Sequence, residues 1–506
     1  MAQGVLPFQY EDDDREVGMT GVAGLGIYLD FWRTAGLGRL IEQCLRVHGP
    51  SQGWTDEQIV KSLVLLNIAG GDCVDDLSIL ESDPGLCQLI RQTEEHGRTR
   101  SERRAVRRRW RRKRSRTFPS ATAVLDYLRC FHDEIQERLR EIGKAFIPAP
   151  TEALLGLLSV NAGFIAWVQR HSPKDTATLD MDATLIETYK KLSLYCYKKF
   201  KAYQPLNIYW AEQGLVLYSE FRDGNVPANY ELLGPFEQGL ELLPQGVKKV
   251  FLRSDTAGNV EKLLRYCAEA KNRRFGVIEF AIGVDVTQEF KKAVAEIPES
   301  DWFRLSRKVN GELEWTNQEY AEVCFVPNWV GQSKNGPVYR YLAVRQPLGD
   351  EKSPGKKKKE SELPFQTMEM KNVKYKLTGM VTNRDLPGND LIWWYRERCG
   401  KSEEAHSVMK RDLAGGQLPS ALFGANAAWW QIMILSFNFH VAMKGLVLGG
   451  NWISRRLKAI RFWLINVPGL VFDRSRALVV RLVGGHPSFD IFLKARRRML
   501  SLCASG

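Results

Sequence analysis

The first third of the chain carries apolar residues at the spacing of amphipathic helices. Thr55 precedes one such run as a favourable N-cap, and Gln58 three residues later completes a capping box. A second capped start follows at Ser120, again ahead of apolar residues at helical spacing. After a flexible tail over residues 1–20, the pattern predicts an all-α domain over residues 21–150.

The second third changes to the alternating pattern of strands. Asp180 and Asp182 share one face of the first strand, because side chains alternate between the two faces of a strand. Residues 206–221 are typical of two strands around a turn, and residues 249–255 of a short apolar strand that ends on an acid. With the elements that follow, the order is three strands, helix, strand, helix, strand. This order predicts an α/β fold with an RNase H-like core, whose first part covers residues 172–297.

The remainder of the chain contains strand patterns and then helical ones. Strands and loops dominate residues 298–389, which we predict to be a mainly β insertion. Helical spacing returns over residues 390–450, the predicted second part of the core, and over the C-terminal region 451–506. Residues 427–449 are apolar enough to suggest a membrane helix, but polar side chains interrupt them, which favours a buried core helix. These side chains are Gln431, Asn438, His440 and Lys444.

Positive charge is concentrated in one block. The formal net charge is +13, and residues 98–116 contain twelve Arg or Lys residues and one acid, Glu102. A block that is rich in Arg and contains Trp110 favours binding to nucleic acid over a solvated run without a partner. The sequence therefore predicts an Arg-rich DNA-binding arm within the helical domain. Its candidate DNA contacts are Arg107, Arg108, Arg109, Arg111 and Arg112.

The nine cysteines are scattered and include no Cys-x-x-Cys pair. This distribution is typical of reduced, mostly buried thiols rather than of disulfides or a zinc site. The N-terminus lacks the basic-then-apolar order of a signal peptide. We therefore expect a cytoplasmic protein, and the Arg-rich block predicts that it is associated with the nucleoid.

Acids that lie far apart in the sequence are candidates for one catalytic site. Phosphodiester cleavage and transfer need hard cations held by carboxylates that meet in space. Asp182 lies in the first strand, and Asp255 ends another strand, where open α/β sheets place their sites. A Glu on a helix over both would complete a three-carboxylate site. Asp180 has two interpretations: an acid that supports or replaces a metal ligand, or a buried acid paired with a basic neighbour.

Four short motifs follow one another along the chain: Asp182-Ala183-Thr184, Arg222-Asp-Gly-Asn225, Phe251-Leu-Arg-Ser-Asp-Thr-Ala-Gly258, and the segment from Tyr395 to Lys410. They resemble, in this order, four motifs of DDE transposases of bacterial insertion sequences. Those motifs are an Asp-Gly-Thr strand, an Arg-x-Gly-Asn turn, a Leu-Arg-x-Asp-x-Gly strand end, and the Tyr-Arg-Glu-Lys signature of the subgroup with a β insertion. The ordered set is much more specific than any single motif.

The resemblance implies a DNA-cutting site with divalent cations. It implies two Mg²⁺ ions, for which Mn²⁺ would substitute, bound by three catalytic carboxylates: Asp182, Asp255 and Glu403. It also implies residues that hold DNA phosphates near the scissile bond: Tyr395, Arg398 and Lys410. The implied partners are double-stranded transposon ends and target DNA, and a second copy of the chain in a homodimer that holds two ends together.

The signature departs from the family pattern at one point. The spacing from Arg398 to Glu403 is one residue longer than in the family, and Glu404 is adjacent, so the third carboxylate has two candidates. Glu403 is favoured because it shares a helix face with Lys410. His406, one turn further on, either touches the site or lies on the surface.

Related enzymes stack a flipped base on a Trp of the insertion. The candidates here are Trp302, Trp315 and Trp329, each of which is more often an ordinary core residue. Whether the DNA ends pass through a hairpin stays open.

Three functions are compatible with these patterns. The leading one is an active cut-and-paste transposase that recognises terminal inverted repeats. The second is a DNA-binding protein that descends from a transposase but no longer cuts DNA; the retained acids argue against it. The third, an RNase H-like nuclease that does not transpose, is disfavoured by the Tyr395, Arg398 and Lys410 cluster and by the long insertion.

Overall fold

In a computed structural model, the chain folds into two compact units. The structure describes residues 18–47, 53–104, 116–141, 143–309, 311–327, 339–348, 365–475 and 477–504. The first unit comprises Met1–His132, Thr151–Val160 and Arg411–Gly506, and the second comprises Asp133–Pro150 and Asn161–Lys410.

The first unit is mainly helical. Its helices are Leu25–Thr34, Leu37–Cys44, Asp56–Ala69, Leu77–Glu81, Pro84–Glu95, Ala121–Arg129, Phe423–Ala442, Leu457–Ile460 and Phe489–Ala504. Two predicted caps are observed: Thr55 accepts a hydrogen bond from the backbone of Gln58 in a capping box, and Ser120 accepts one from the backbone of Ala123. The C-terminal region, predicted as helical, also contains a hairpin, because Gly469–Arg474 and Ala477–Leu482 pair as strands.

The long apolar stretch near residue 430 forms the central helix of this unit. Phe423–Ala442 is buried along nearly its whole length and packs against the helices Asp56–Ala69 and Ala121–Arg129. Among the described residues, it and Glu152–His171 are the two helices long and apolar enough to cross a membrane. The burial of Phe423–Ala442 inside the unit agrees with a core helix.

The thiols are less buried than the sequence suggested. Cys87, Cys196 and Cys267 are buried and Cys44 is intermediate. The remaining five are exposed, so the prediction of mostly buried thiols was wrong: Cys73, Cys130, Cys324, Cys399 and Cys503. They lie at turns, kinks and element ends, where a side chain has little to pack against.

The second unit is built on a ten-stranded mixed sheet. In chain order the strands within the described residues are β1 Met19–Thr20, β2 Thr176–Ala183, β3 Ile186–Glu187, β4 Leu194–Tyr195, β5 Lys201–Tyr203, β6 Leu206–Trp210, β7 Leu215–Glu220, β8 Lys249–Ser254, β9 Glu279–Val284, β10 Phe303–Val309, β11 Glu312–Val323, β12 Arg340–Pro347, β13 Thr367–Met370, β14 Val373–Thr382, β15 Gly469–Arg474 and β16 Ala477–Leu482. The order in the large sheet is β10-β11-β12-β14-β9-β8-β2-β6-β7, and β13 pairs with β14.

The three central strands of this sheet are parallel. β2 runs parallel to β8, and β8 runs parallel to β9. β8 and β9 are buried over most of their length, as expected for strands covered on both faces. The helices of this unit are Glu134–Arg138, Leu233–Glu241, Glu261–Ala268, Gln288–Ala295, Gly388–Arg396 and Arg398–Ser407, and Glu152–His171 passes from the first unit into the second.

The described strands of residues 298–389 join the large sheet of the second unit. The last of them, β14, pairs antiparallel with β9, so these strands extend the central sheet at one edge. The helix Gly388–Arg396 then packs against this extension, where Leu391 and Ile392 are buried beside Leu342 and Met380. The sheet extension therefore supports the start of the signature segment.

A small ribbon lies between β2 and β6 in the sequence. Residues 186–203, called the ribbon below, form a three-stranded antiparallel sheet of β3, β5 and β4. Its inner face rests on the turn over residues 222–225. A Cβ at Gly224 would lie 2.5 Å from the carbonyl oxygen of Ala202 and 2.8 Å from that of Leu194, so this close approach requires glycine.

Candidate active site

Asp182 and Asp255 lie side by side at the carboxyl edge of the parallel strands. The register of β2 and β8 pairs Asp180 with Arg253 and Met181 with Ser254, so Asp182 and Asp255 occupy the next step along both strands. They line one pocket of about 300 Å³. Asp285, just after β9, lines the same pocket. Three carboxylates from three neighbouring strands thus face one space.

Two of these carboxylates, Asp182 and Asp255, have raised pKa values. Burial raises the pKa of Asp255, and the charge of Asp182 raises it further, with a smaller contribution from Asp285. Burial likewise raises the pKa of Asp182; Arg398 and Ser402 offset part of this shift, and Glu403 adds to it. A bound cation would relieve this repulsion, because it favours the ionised form of both acids.

The helix after the signature tyrosine brings polar groups to Asp182. Ser402 Oγ donates a hydrogen bond of 3.1 Å to Asp182 Oδ2, and an Arg398 nitrogen lies 3.5 Å from the same oxygen. His406 Nδ1 lies 3.9 Å from that oxygen, and His406 Nε2 is 3.1 Å from the amide nitrogen of Asn207. Ser402 and His406 are four residues apart and therefore share the helix face that covers Asp182.

A kink explains the unusual spacing of the signature. Cys399 and Gly400 have non-helical backbone angles inside Arg398–Ser407, and Gly400 has a φ of +94°. The extra residue is accommodated at this break, so the helix that carries Glu403 does not continue the register of Gly388–Arg396.

Glu403 and Glu404 are both exposed, but their charges act on different groups. Glu403 raises the pKa of Asp182, whereas Glu404 raises that of Tyr209, whose backbone pairs with Asp180. The described part of the chain contains no group of three Asp, Glu, His or Cys side chains arranged to hold a metal ion. The donor chemistry of Asp182 and Asp255 fits a hard divalent cation.

The predicted DNA-contacting residues have diverse surroundings. The Tyr395 hydroxyl lies close to Gly283, and Arg398 lies over the Tyr395 ring at 5.8 Å. Lys410 donates hydrogen bonds to Thr184 Oγ1 at 2.9 Å and to the carbonyl of Leu185 at 3.3 Å, just before the ribbon. All three thus border the pocket-forming strands or the loop that follows them. The Arg-rich candidates lie outside the described residues: Arg107, Arg108, Arg109, Arg111 and Arg112.

Asp180 is a buried, paired acid. Arg253 Nε and Nη2 donate to its two carboxylate oxygens at 2.6 and 2.9 Å, and both side chains are at most 1% exposed. Arg253 Nη1 also donates to the carbonyl of Trp394 at 2.6 Å. The pair therefore links β2 and β8 to the helix Gly388–Arg396, and both carboxylate oxygens of Asp180 accept hydrogen bonds from Arg253.

A sequence model of a protein family matches this chain and identifies its family. The model described as "Transposase DDE domain group 1" matches residues 18–334, more than half of the chain. The chain belongs to the DDE transposase family. It is therefore a transposase-type enzyme, and divalent metal ions are the general cofactors of its family.

No curated protein sequence matches this DDE transposase. Among solved structures, its fold is similar to "Cryo-EM structure of piggyBac transposase synaptic complex with hairpin DNA", at 10% sequence identity and a TM-score of 0.41. That similarity covers 95% of this chain and 80% of the other.

Several residues of the transposase site differ from what the sequence suggested. His406 is buried against Asp182, so the surface interpretation was wrong. Trp302 is buried under Arg345, which lies 4.0 Å from its ring centre, whereas Trp315 is 56% exposed and is not a core residue. Trp329 lies outside the described residues. Asp285 was missed, although its position directly after an apolar strand is the same signal that pointed to Asp255.

Proposed function

We propose that the chain is an active cut-and-paste transposase of a bacterial insertion sequence. It cleaves double-stranded DNA at terminal inverted repeats and transfers the ends to target DNA, acting as a homodimer because two ends must be held together. The observation that carries this proposal is the convergence of Asp182 and Asp255 in one pocket of a DDE transposase. Such an enzyme would act in the cytoplasm, on the nucleoid.

We further infer an RNase H-like core. Its support is the strand order β9-β8-β2-β6-β7, in which the first three strands of the core form an antiparallel meander and the two later ones add in parallel beside β2. The first acid lies on the central strand of this set and the second acid on its parallel neighbour. This arrangement matches the element order that the hydrophobic pattern predicts.

The carboxylates Asp182 and Asp255, with Glu403, would hold two Mg²⁺ ions, and Mn²⁺ would substitute. Such ions supply charge that activates the attacking water or 3′-hydroxyl and stabilises the leaving oxygen. Glu403 is preferred to Glu404 because its charge is the one that acts on Asp182. The helix that carries it follows a glycine kink, a place where a small backbone change re-aims a side chain.

The signature residues would hold the scissile phosphate. Arg398 Nε is buried and has no hydrogen-bond acceptor among the described residues, so this donor remains for a phosphate oxygen. Arg398 also lies over the ring of Tyr395, which keeps the guanidinium beside the pocket. Lys410 donates a hydrogen bond to Thr184 and so holds the loop after β2 in place. The DNA strand would leave the pocket along this loop.

Metal-dependent cleavage of terminal DNA tests the proposal. The substrate is the inverted repeat found in the DNA that flanks the gene, and the measurements are nicking with Mg²⁺ or Mn²⁺ and binding by gel shift. Asp182→Ala, Asp255→Ala and Glu403→Ala are expected to abolish nicking and to retain binding, while the matched control Glu404→Ala continues to nick. Nicking that persists in the Asp182→Ala protein would refute the assignment. A Glu404→Ala protein that no longer nicks DNA would assign the third carboxylate to Glu404 instead of Glu403.

One observation favours a second candidate function, a DNA-binding protein that no longer cuts. No three Asp, Glu, His or Cys side chains within the described residues are close enough to hold one metal ion as they stand. The two proposals differ in one result: the inactive protein would bind the terminal repeats equally well with and without divalent cations and would never nick them. The retention of Asp182, Asp255 and the signature residues favours the active enzyme.

A further inference from the structure

The ribbon carries an exposed aromatic and basic surface. Tyr189, Tyr195 and Tyr197 are 90%, 64% and 72% exposed. Five lysines and one acid, Glu187, accompany them within residues 186–203. The lysines are Lys190, Lys191, Lys198, Lys199 and Lys201. Large aromatic rings are seldom left in water in such density, so this surface has the composition of a binding site.

The opposite face of the ribbon is firmly packed. Ala202 and Tyr203 are buried, and the Tyr203 ring stacks on Phe221 at 4.8 Å. The backbone of Gly224 packs against the carbonyl oxygens of Ala202 and Leu194. Lys410 donates a hydrogen bond to the carbonyl of Leu185, in the loop that leads into the ribbon. The exposed tyrosines therefore stand on a supported platform.

The surface is continuous with the active-site pocket. Tyr197 lines that pocket together with Asp182 and Asp255. Lys198 Nζ lies 5.6 Å from the centre of the Tyr197 ring, so a cation and an aromatic face are presented together at the pocket mouth. A nucleic-acid strand whose phosphate lies at the two carboxylates would place its neighbouring nucleotides against this ring.

Exposed aromatic rings favour unpaired nucleotides over duplex DNA. Bases stack on exposed rings when they are unpaired, whereas duplex bases already stack on one another; lysines contact phosphates in either form. We propose that the ribbon binds unpaired nucleotides of the DNA strand whose phosphate occupies the pocket, with Tyr197 as the first stacking platform. The proposal rests on the proposed function and adds to it the state of the DNA at the site.

A binding assay without catalysis tests the ribbon. Full-length protein in a metal-free buffer is titrated with a blunt duplex, and with the same duplex carrying about five unpaired nucleotides, a length within the range of single-strand sites. A 2-aminopurine in the unpaired segment reports stacking by its fluorescence. Tyr197→Ala is expected to weaken binding of the extended duplex by roughly 5- to 100-fold and to leave the blunt duplex within about 2-fold. Tyr197→Phe, which keeps the ring, is expected to restore both the affinity and the 2-aminopurine signal.

Two controls separate stacking from other effects. Phe462→Ala removes an exposed ring elsewhere in the protein and is expected to bind like the wild type. Lys198→Gln with Lys199→Gln is expected to weaken both duplexes and to reduce the salt dependence by about one unit per lysine. Thermal unfolding checks that each variant is folded.

The outcomes distinguish this proposal from the proposed function. Equal effects of Tyr197→Ala on the two duplexes, or no effect on either, would overturn the stacking proposal even in a protein that nicks DNA. A wild-type protein that prefers the extended duplex through Tyr197, and yet never nicks with Mg²⁺ or Mn²⁺, would retain the stacking surface and overturn the active transposase.

Discussion

Arg253 donates hydrogen bonds to both carboxylate oxygens of Asp180 beside the site, and Arg253→Met tests this contact. The variant keeps a side chain of similar length but leaves the carboxylate of Asp180 buried without its hydrogen-bonded positive partner. It also removes the hydrogen bond to the carbonyl of Trp394. Loss of one partner from a buried ion pair costs about 3–5 kcal/mol of folding free energy. We therefore expect a destabilisation of this size at about pH 8.

The pH dependence of this variant has a definite sign. Burial already raises the pKa of Asp180, and Arg253 offsets part of that shift. Without Arg253 the pKa rises further, so the folded protein holds a proton that the unfolded chain releases. Stability then falls as pH increases, and the destabilisation by Arg253→Met is expected to be smaller at about pH 5 than at about pH 8.

The assay is urea unfolding followed by tryptophan fluorescence, with amide hydrogen exchange of β2 and β8 as a local probe of the second unit. The double variant Asp180→Leu with Arg253→Met removes both charges, and we expect it to recover most of the loss. It is also expected to retain divalent-cation binding, because Asp180 is not a ligand. A loss below about 1 kcal/mol, or an equal loss at both pH values, would refute the buried-pair interpretation.

Three further predictions concern the pocket and its support. Saturating Mn²⁺ should stabilise the wild-type protein by about 2–3 kcal/mol at a hundredfold excess over its dissociation constant, and Asp182→Asn or Asp255→Asn should remove this gain in a thermal-shift assay. Gly224→Ala should destabilise the protein by about 1–3 kcal/mol, because its Cβ would lie 2.5 Å from the carbonyl oxygen of Ala202; a melting temperature equal to the wild type would contradict this. Burial, with help from nearby cations, lowers the pKa of His406 to about 4, so its imidazole should remain neutral at about pH 5.5 by nitrogen NMR; a charged ring at that pH would show that it is not buried as described.

The sequence predicted the features that depend on local chemistry or on strand order. The cap at Thr55 needs only two nearby residues, so the pattern was sufficient. The neighbouring positions of Asp182 and Asp255 follow once their strands are parallel, because each acid comes at the carboxyl end of its strand.

Features that depend on long-range packing were not predictable. β14 pairs with β9 although the two strands are far apart in the sequence, and the residues of neither strand indicate which strand will be its partner. The approach of Ser402 and His406 to Asp182 depends on the backbone angles at Gly400, which a spacing rule cannot supply. The spacing of the signature therefore showed that one residue is extra, but it did not predict the kink that accommodates this residue.

Iron-mediated cleavage of the polypeptide tests most directly whether the three carboxylates share one metal site. Fe²⁺ replaces Mg²⁺, ascorbate and peroxide generate hydroxyl radicals at the bound ion, and mass spectrometry locates the cuts in the chain. The account predicts cuts near Asp182, Asp255 and Glu403 together, all of them absent from the Asp182→Asn protein. Cuts near Asp182, Asp255 and Asp285, with none near Glu403, would contradict the assignment of the third carboxylate.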